Sequence, residues 1–321
     1  MIIDGHNDLV LHAWRGVPTD HLDLDAALAV GFAGGFFALY VPSPRFPDPT
    51  AIPYKVPLPE PIPYAEASRI AEELFAALCA LPVARATSVD DFQEGRVTAI
   101  VHFEGADALA PDLSDLERWY ERGLRSVGLV WSRPNAFAHG VPFEFPASPD
   151  TGPGLTAAGL DLVRACNRLG ILVDLSHLNE AGFWDVARAG GAPLVATHSN
   201  AHALSPSTRN LTDAQLDQVA RTGGVVGVNF ACGFLRADGF NIVETPLSEI
   251  VRHVDYLVEL VGIDHVAFGS DFDGALIPAE LGGVAGLPKL VAALVGRGYD
   301  DEAVEKLTHR NWLRVLEDTW R

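Results

Sequence analysis

His6, Asp8, Glu104, His177 and His198 each stand where an apolar run of this chain stops, and their side chains are of the kinds that hold divalent cations. The chain opens on Asp4-Gly5-His6-Asn7-Asp8. Side chains at i and i+2 of a strand share a face, so His6 and Asp8 can reach one ion from the end of a first strand. A His-x-Asp pair alone is common. Imidazoles and carboxylates ending several strands are a stronger pattern, suited to zinc and similar ions. Glu104 could give one carboxylate oxygen to each of two ions, with His6 and Asp8 on the first and His177 and His198 on the second. Asp271, in Gly269-Ser270-Asp271-Phe272-Asp273-Gly274, ends the last run. A carboxylate there could take a proton from water and deliver it to a leaving amine. Asp273, followed by Gly274, fits a turn cap better. Arg209, in Ser207-Thr208-Arg209-Asn210-Leu211, could pair with an anionic group on substrate or with an oxyanion. Of the other histidines, His102 is read as alternating away from Glu104. His12, His21, His139, His202, His253, His265 and His309 fall in expected loops or helices.

Such residues converge only if a fold brings strand ends to one mouth. Apolar, β-rich runs recur at residues 1–4, 34–41, 97–103, 124–130, 171–175, 194–197, 225–230 and 265–269. Helical patterns lie between them at 64–81, 156–169, 180–189, 212–222 and 246–261, several with Asp, Ser or Thr near the start as caps. Alternation of strand and helix calls for a parallel sheet, and near-continuous apolar strands imply burial on both faces. Eight units most simply close into a (β/α)8 TIM-type barrel over residues 1–321, read as one domain, with a final helix at 301–316 closing it. Segments 42–63 and 134–153 are proline-rich, which predicts extended βα loops over the C-terminal mouth rather than regular elements. Lys55, Lys289 and Lys306 are the only lysines, and none ends a strand, so a carboxylated lysine cannot bridge two ions.

Composition narrows the partners. A chain of 321 residues with 48% hydrophobic content can bury a large core, and a net charge of −19 disfavours nucleic acid and anionic membrane surfaces. Cys79, Cys166 and Cys232 are widely spaced, without a C-x-x-C pair, which argues against a disulfide framework and for a reducing compartment. The uncharged stretch 26–41 is short for a membrane span and reads as a helix end and a strand. Asp4 and Asp8 interrupt the opening residues, against a signal peptide. The expected location is the cytoplasm, and a homodimer is left open.

Taken in order, Asp4-Gly5-His6-Asn7-Asp8, 36–42, Glu104-Gly105-Ala106, Asp174-Leu175-Ser176-His177, His198-Ser199-Asn200-Ala201, Arg209-Asn210 and 269–274 resemble the membrane dipeptidase (renal dipeptidase) family of zinc metallopeptidases along nearly the whole chain. The resemblance implies a barrel with two zinc ions held by His6, Asp8, Glu104, His177 and His198 and bridged by Glu104 and a hydroxide that attacks the peptide bond. It also implies hydrolysis of dipeptides, including those with a C-terminal D-residue, with Arg209 and Asp271 at the substrate. The secretion and lipid anchoring of the family's animal members are not expected to carry over. One stretch departs from the pattern. Where some members have a substrate-contacting His in Leu-Thr-His-x-x-x-Asn, this chain reads Leu129-Val130-Trp131-Ser132-Arg133-Pro134-Asn135. Loss of such a donor can cost about 3–4 kcal/mol of transition-state stabilisation. Trp131 is then expected to offer its indole N–H or an apolar wall, and Arg133 to approach a substrate carboxylate. The alternative is a related binuclear amidohydrolase acting on N-acyl amino acids, lactones or other small amides.

Overall fold

Short runs rich in Val, Ile, Phe and Ala form parallel strands here because both faces of each strand find apolar partners. The computed structural model describes residues 1–43 and 51–320. Eight strands, β1 (Ile2–Asn7), β2 (Phe32–Tyr40), β3 (Thr98–Glu104), β4 (Leu124–Gly128), β5 (Leu172–Asp174), β6 (Val195–Ser199), β7 (Val225–Val228) and β8 (Val266–Phe268), pair in that order, all parallel. The ring closes where residues after β8 return to β1. Asn7 bridges to Phe272, the Asp8 N–H donates to the Phe272 carbonyl at 2.8 Å, and the Asp271 N–H donates to the His6 carbonyl at 3.1 Å. This is the (β/α)8 barrel expected from the strand-helix alternation.

Alternation along the strands divides the core. Ile3, Phe36, Ile100, Leu172, Val195, Val225 and Ala267 pack together with Trp312, Val315 and Leu316 from the last helix. The neighbouring positions on the strands join the helices in the larger core. The Trp312 indole N–H donates to the Phe268 carbonyl at 2.9 Å. A Cβ at Gly5 or Gly227 would come within 2.6 or 3.0 Å of the Trp312 ring, so both glycines make room for this plug.

The helices follow the expected pattern within a residue or two, set by their caps. Thr156, Asn179 and Thr212 accept backbone N–H bonds at the starts of helices Ala157–Leu169, Glu180–Ala189 and Asp213–Arg221, the last with a full capping box through Gln215. The terminal helix runs unbroken over residues 301–319 but is not α-helical throughout. A π turn, Lys306–Arg310, separates Asp301–Glu305 from Asn311–Thr319.

The expectation that the proline-rich loops hold no regular elements needs correcting. Tyr54–Val56 and Phe143–Phe145 form a small antiparallel pair over the mouth, reinforced by Lys55–Glu144 at 2.7 Å. Each loop supplies the partner that the other lacks. Residues 44–50 of the first loop lie outside the described residues.

Candidate metal centre

Most strands that deliver a chemical group to the mouth break their own regularity to do so. Between Asp4↔Gly35 and Asn7↔Phe37, β1 advances three residues while β2 advances two. Between Val226↔Ala196 and Val228↔Ser199, β6 likewise runs one residue ahead of β7. An extra residue in a strand reverses which face the following side chains take. His6 and His198 sit within these irregular stretches. His177 and Asp271 have positive φ, 66° and 61°. That conformation is uncommon for residues other than glycine and is found at sites where structure serves chemistry. Glu104 lies in unbroken register with β2, opposite Tyr40, although its strand shifts against β4 between Val101 and His102.

The five expected ligands meet. Glu104 divides its carboxylate between two groups. Its Oε2 lies 3.6 Å from His6 Nε2, which is itself 3.5 Å from Asp8 Oδ2. Its Oε1 lies 3.1 Å from His177 Nε2 and 3.8 Å from His198 Nε2, and the two imidazole nitrogens are 3.1 Å apart. All five residues are buried. Both nitrogens of His6 and one oxygen of Asp8 have no hydrogen-bond partner. Buried polar atoms are rarely left so; of these, His6 Nε2 lies 3.5 Å from Asp8 Oδ2 and 3.6 Å from Glu104 Oε2. That crowding fits a divalent cation.

The electrostatics point the same way. Burial, with Arg209 and His6 nearby, holds His177 and His198 well below the usual imidazole range, so both are neutral and free to ligate. Burial pushes Glu104 up to about 7 against the attraction of His6. Burial alone would lower His6, but Glu104 and Asp8 raise it well above its ordinary value. The carboxylates thus draw positive charge to the place where an ion would sit.

Groups behind the ligands orient them. Asp174 accepts the Ser176 and Thr197 N–H groups at 3.0 and 2.8 Å and the Thr197 hydroxyl at 2.7 Å. With its one proton given to Asp174, Thr197 Oγ1 must accept from His198 Nδ1, 2.8 Å away. This leaves the Nε2 lone pair pointing at the centre. Ser132 Oγ pairs with His177 Nδ1 at 2.9 Å. Asp4, raised to about 7 by burial against its bonds from Ser270, ties β1 to the loop that carries Asp271.

His102 corrects its expected placement. Being two residues before Glu104 it shares that residue's face, and it lies buried beneath the centre, 5.5 Å from the His6 ring and 2.9 Å from Ser126 Oγ. Its Nε2 is 3.7 Å from Asp174. Burial takes it down to about 3, so it is neutral.

Asp271 stands across the mouth, grouped with His6 and Asp8. It accepts Asn229 Nδ2 at 2.9 Å. Burial raises its pKa, opposed by His6 and Asn229. A Cβ at Gly274 would meet Asp8 Oδ2 at 2.1 Å and Asp271 Oδ1 at 2.5 Å, so glycine is required there. Asp273, expected to cap the turn that follows it, instead accepts the Thr19 hydroxyl and the Asp20 and His21 N–H groups, fastening a loop distant in sequence. Arg209 is buried, donates through Nη2 to the His198 carbonyl at 3.2 Å, and keeps an Nε–H without a partner. Burial lowers its pKa, with Asp271 and Glu104 opposing.

Trp131 lies at the mouth, its ring 5.7 Å from that of His177. Arg133 does not join it there. Its guanidinium is fully buried and committed, with Nε to Asp107 at 3.0 Å, Nη1 to Ser43 Oγ at 2.6 Å and Nη2 to the Val41 carbonyl at 2.8 Å. The expected approach to a substrate carboxylate is therefore replaced by a structural tie between the loops after β2, β3 and β4. The sequence reading missed Asn229, Asp174, Thr197 and Ser132. Only Asp174 carried a signal, as a charged residue inside an apolar run.

The model of the membrane dipeptidase family, peptidase family M19, matches residues 1–320. A Klebsiella pneumoniae protein known only as an uncharacterized protein in the pqqA 5' region is 54% identical over 237 residues, 74% of this chain and 88% of that one. Dipeptidase ataJ of Aspergillus terreus is 30% identical over 348 residues, covering 98% of this chain and 84% of its own. Among solved structures, a metallo peptidase from Rhodobacter sphaeroides liganded with a phosphinate mimic of the dipeptide L-Ala-D-Ala superposes with TM-score 0.95 at 48% identity, over 99% of both chains.

Proposed function

This chain belongs to the membrane dipeptidase family, peptidase family M19, and is a metal-dependent dipeptidase; we propose that its centre holds two zinc ions with Glu104 between them. The observation that carries this reading is the split carboxylate of Glu104, one oxygen toward His6, which itself faces Asp8, the other toward His177 and His198. A mixed imidazole and carboxylate set suits zinc. When bound, the ions supply Lewis acidity for water and for the peptide carbonyl.

The chain's own groups do the rest. Asp271, held by Asn229 at 2.9 Å, receives the proton of the attacking water and passes it to the departing amine. Arg209, buried beside the His198 carbonyl with an unpartnered Nε–H, receives an anionic group of the substrate or of the transition state. Thr197 and Ser132 keep the two histidines in their orientations. The L-Ala-D-Ala mimic held by the Rhodobacter relative supports acceptance of a C-terminal D-residue here as well.

Cys79, Cys166 and Cys232 are all free thiols, Cys79 exposed, which supports the cytoplasmic location expected from the sequence. Among the described residues no helix is long and apolar enough to cross a membrane.

The test is hydrolysis of L-Xaa-L-Xaa and L-Xaa-D-Xaa libraries by zinc-loaded protein against a chelated control, scored by released amino acid. Metal-dependent cleavage in both libraries is expected. Intact dipeptides despite two bound ions would move the substrate to other small amides.

A further inference from the structure

Four aromatic side chains from separate segments converge beside His177. Tyr40 ends β2, Trp131 follows β4, Phe143 lies in the small antiparallel pair, and Phe234 sits in the short helix Cys232–Leu235 after β7. The Trp131 ring is 5.2 Å from Tyr40 and 5.5 Å from Phe143, and Phe143 stacks on Phe234 at 6.1 Å. Trp131 and Phe143 also face His177, at 5.7 and 6.4 Å. All four rings are only half-buried, whereas the phenylalanines within the barrel are fully covered. Apolar surface left open in one continuous wall, against a polar catalytic centre, is how a pocket receives a ligand side chain.

Charge decides which side chain that is. Aromatic faces attract cations, but two cations already lie over these rings. The Arg133 guanidinium carbon is 5.9 Å from the Tyr40 centroid and 5.8 Å from that of Trp131, and the Arg209 carbon is 5.5 Å from that of Phe234. A lysine or arginine side chain would meet two guanidinium groups. An acidic side chain would lose water against carbon, the Arg133 donors are already taken by Asp107, Ser43 and Val41, and the free Nε–H of Arg209 serves the anionic group of the substrate or transition state. An uncharged side chain large enough to cover the rings removes the most apolar surface from water. Because the rings form a single wall, only one of the two dipeptide side chains can use it.

We propose that Tyr40, Trp131, Phe143 and Phe234 form the specificity wall for one residue of the dipeptide and select a bulky uncharged side chain, aliphatic or aromatic. The proposal rests on the dipeptidase reading of this centre. The test measures kcat/KM for dipeptides carrying Gly, Ala, Leu, Phe, Lys or Glu at one position with Ala at the other, then the reverse. At one position Leu and Phe should exceed Gly by about tenfold or more, with Lys and Glu falling below Ala. Trp131→Ala and, independently, Phe234→Ala should shrink that ratio to within about threefold, with metal content unchanged and the other position unaffected. Two variants keep the test usable if one fails to fold. A flat profile at both positions, a preference for Lys, or a preference that survives loss of the rings would overturn the wall. Failure of the metal-loaded wild type to cleave any dipeptide would instead overturn the reading on which it rests.

Discussion

The two ends of this barrel are built from the same strands yet are ordered in opposite ways. Toward the N-terminal ends, Ile3, Phe36, Ile100 and Val225 close around Trp312, and the one polar atom that the indole brings is satisfied by the Phe268 carbonyl. Toward the C-terminal ends the same strands carry His6, Glu104 and His198, two of them from irregular stretches, with His177 and Asp271 added at positive φ. Buried polar atoms there lack partners. The lower end is complete as folded, whereas the upper end is complete only with a cation. Among the described residues three of the four non-glycine residues with positive φ, His177, Asp271 and Asp273, belong to the upper end, while the lower end keeps its own irregularities, a register shift between Ile2 and Ile3 and the π turn before Trp312.

That contrast can be broken in order of expected effect. Glu104→Ala removes the one group that faces both ligand pairs; metal analysis should find fewer than two ions per chain and turnover at background, and two retained ions would dissolve the distinction. Asp271→Asn should keep both ions while kcat falls about 10²–10⁴-fold, as expected for a proton-transfer group. Full turnover with full occupancy would remove that role.

At the other end, Trp312→Ala should cost about 3–5 kcal/mol in urea unfolding of metal-free protein. Metal content and kcat per folded molecule should be unchanged, and a selective loss of metal would show that the two ends are not separable. The smallest effect is expected behind the ligands. Thr197→Val should weaken metal binding about 10–100-fold, with Thr197→Ser restoring it. Equal weakening in both variants would mean that the hydroxyl does not orient His198.

The same contrast explains what could be read from the chain before its structure. Eight apolar runs separated by capped helical patterns made the barrel legible, because burial on both faces leaves a mark in every strand. The residues that gather at the mouth stood at the ends of those runs. The turns that aim them were not legible. A bulge at Asp4–Asn7 exists only relative to the register of β2, and nothing in the residue type of His177 announces a positive φ. His102 could have been placed by the i, i+2 rule already applied to His6 and Asp8, and it lies on the face of Glu104. Arg133 stood near the site in sequence, but its partner Asp107 comes from the loop after β3, a pairing that only the tertiary fold creates. The same holds for strands Tyr54–Val56 and Phe143–Phe145, each irregular alone and paired together.

The most direct measurement is anomalous diffraction at the zinc edge from crystals of the zinc-loaded protein. Two peaks are predicted, one at His6 and Asp8 and one at His177 and His198, each touching one oxygen of Glu104. A single peak, or two peaks with Glu104 turned away from either, would contradict the bridged centre.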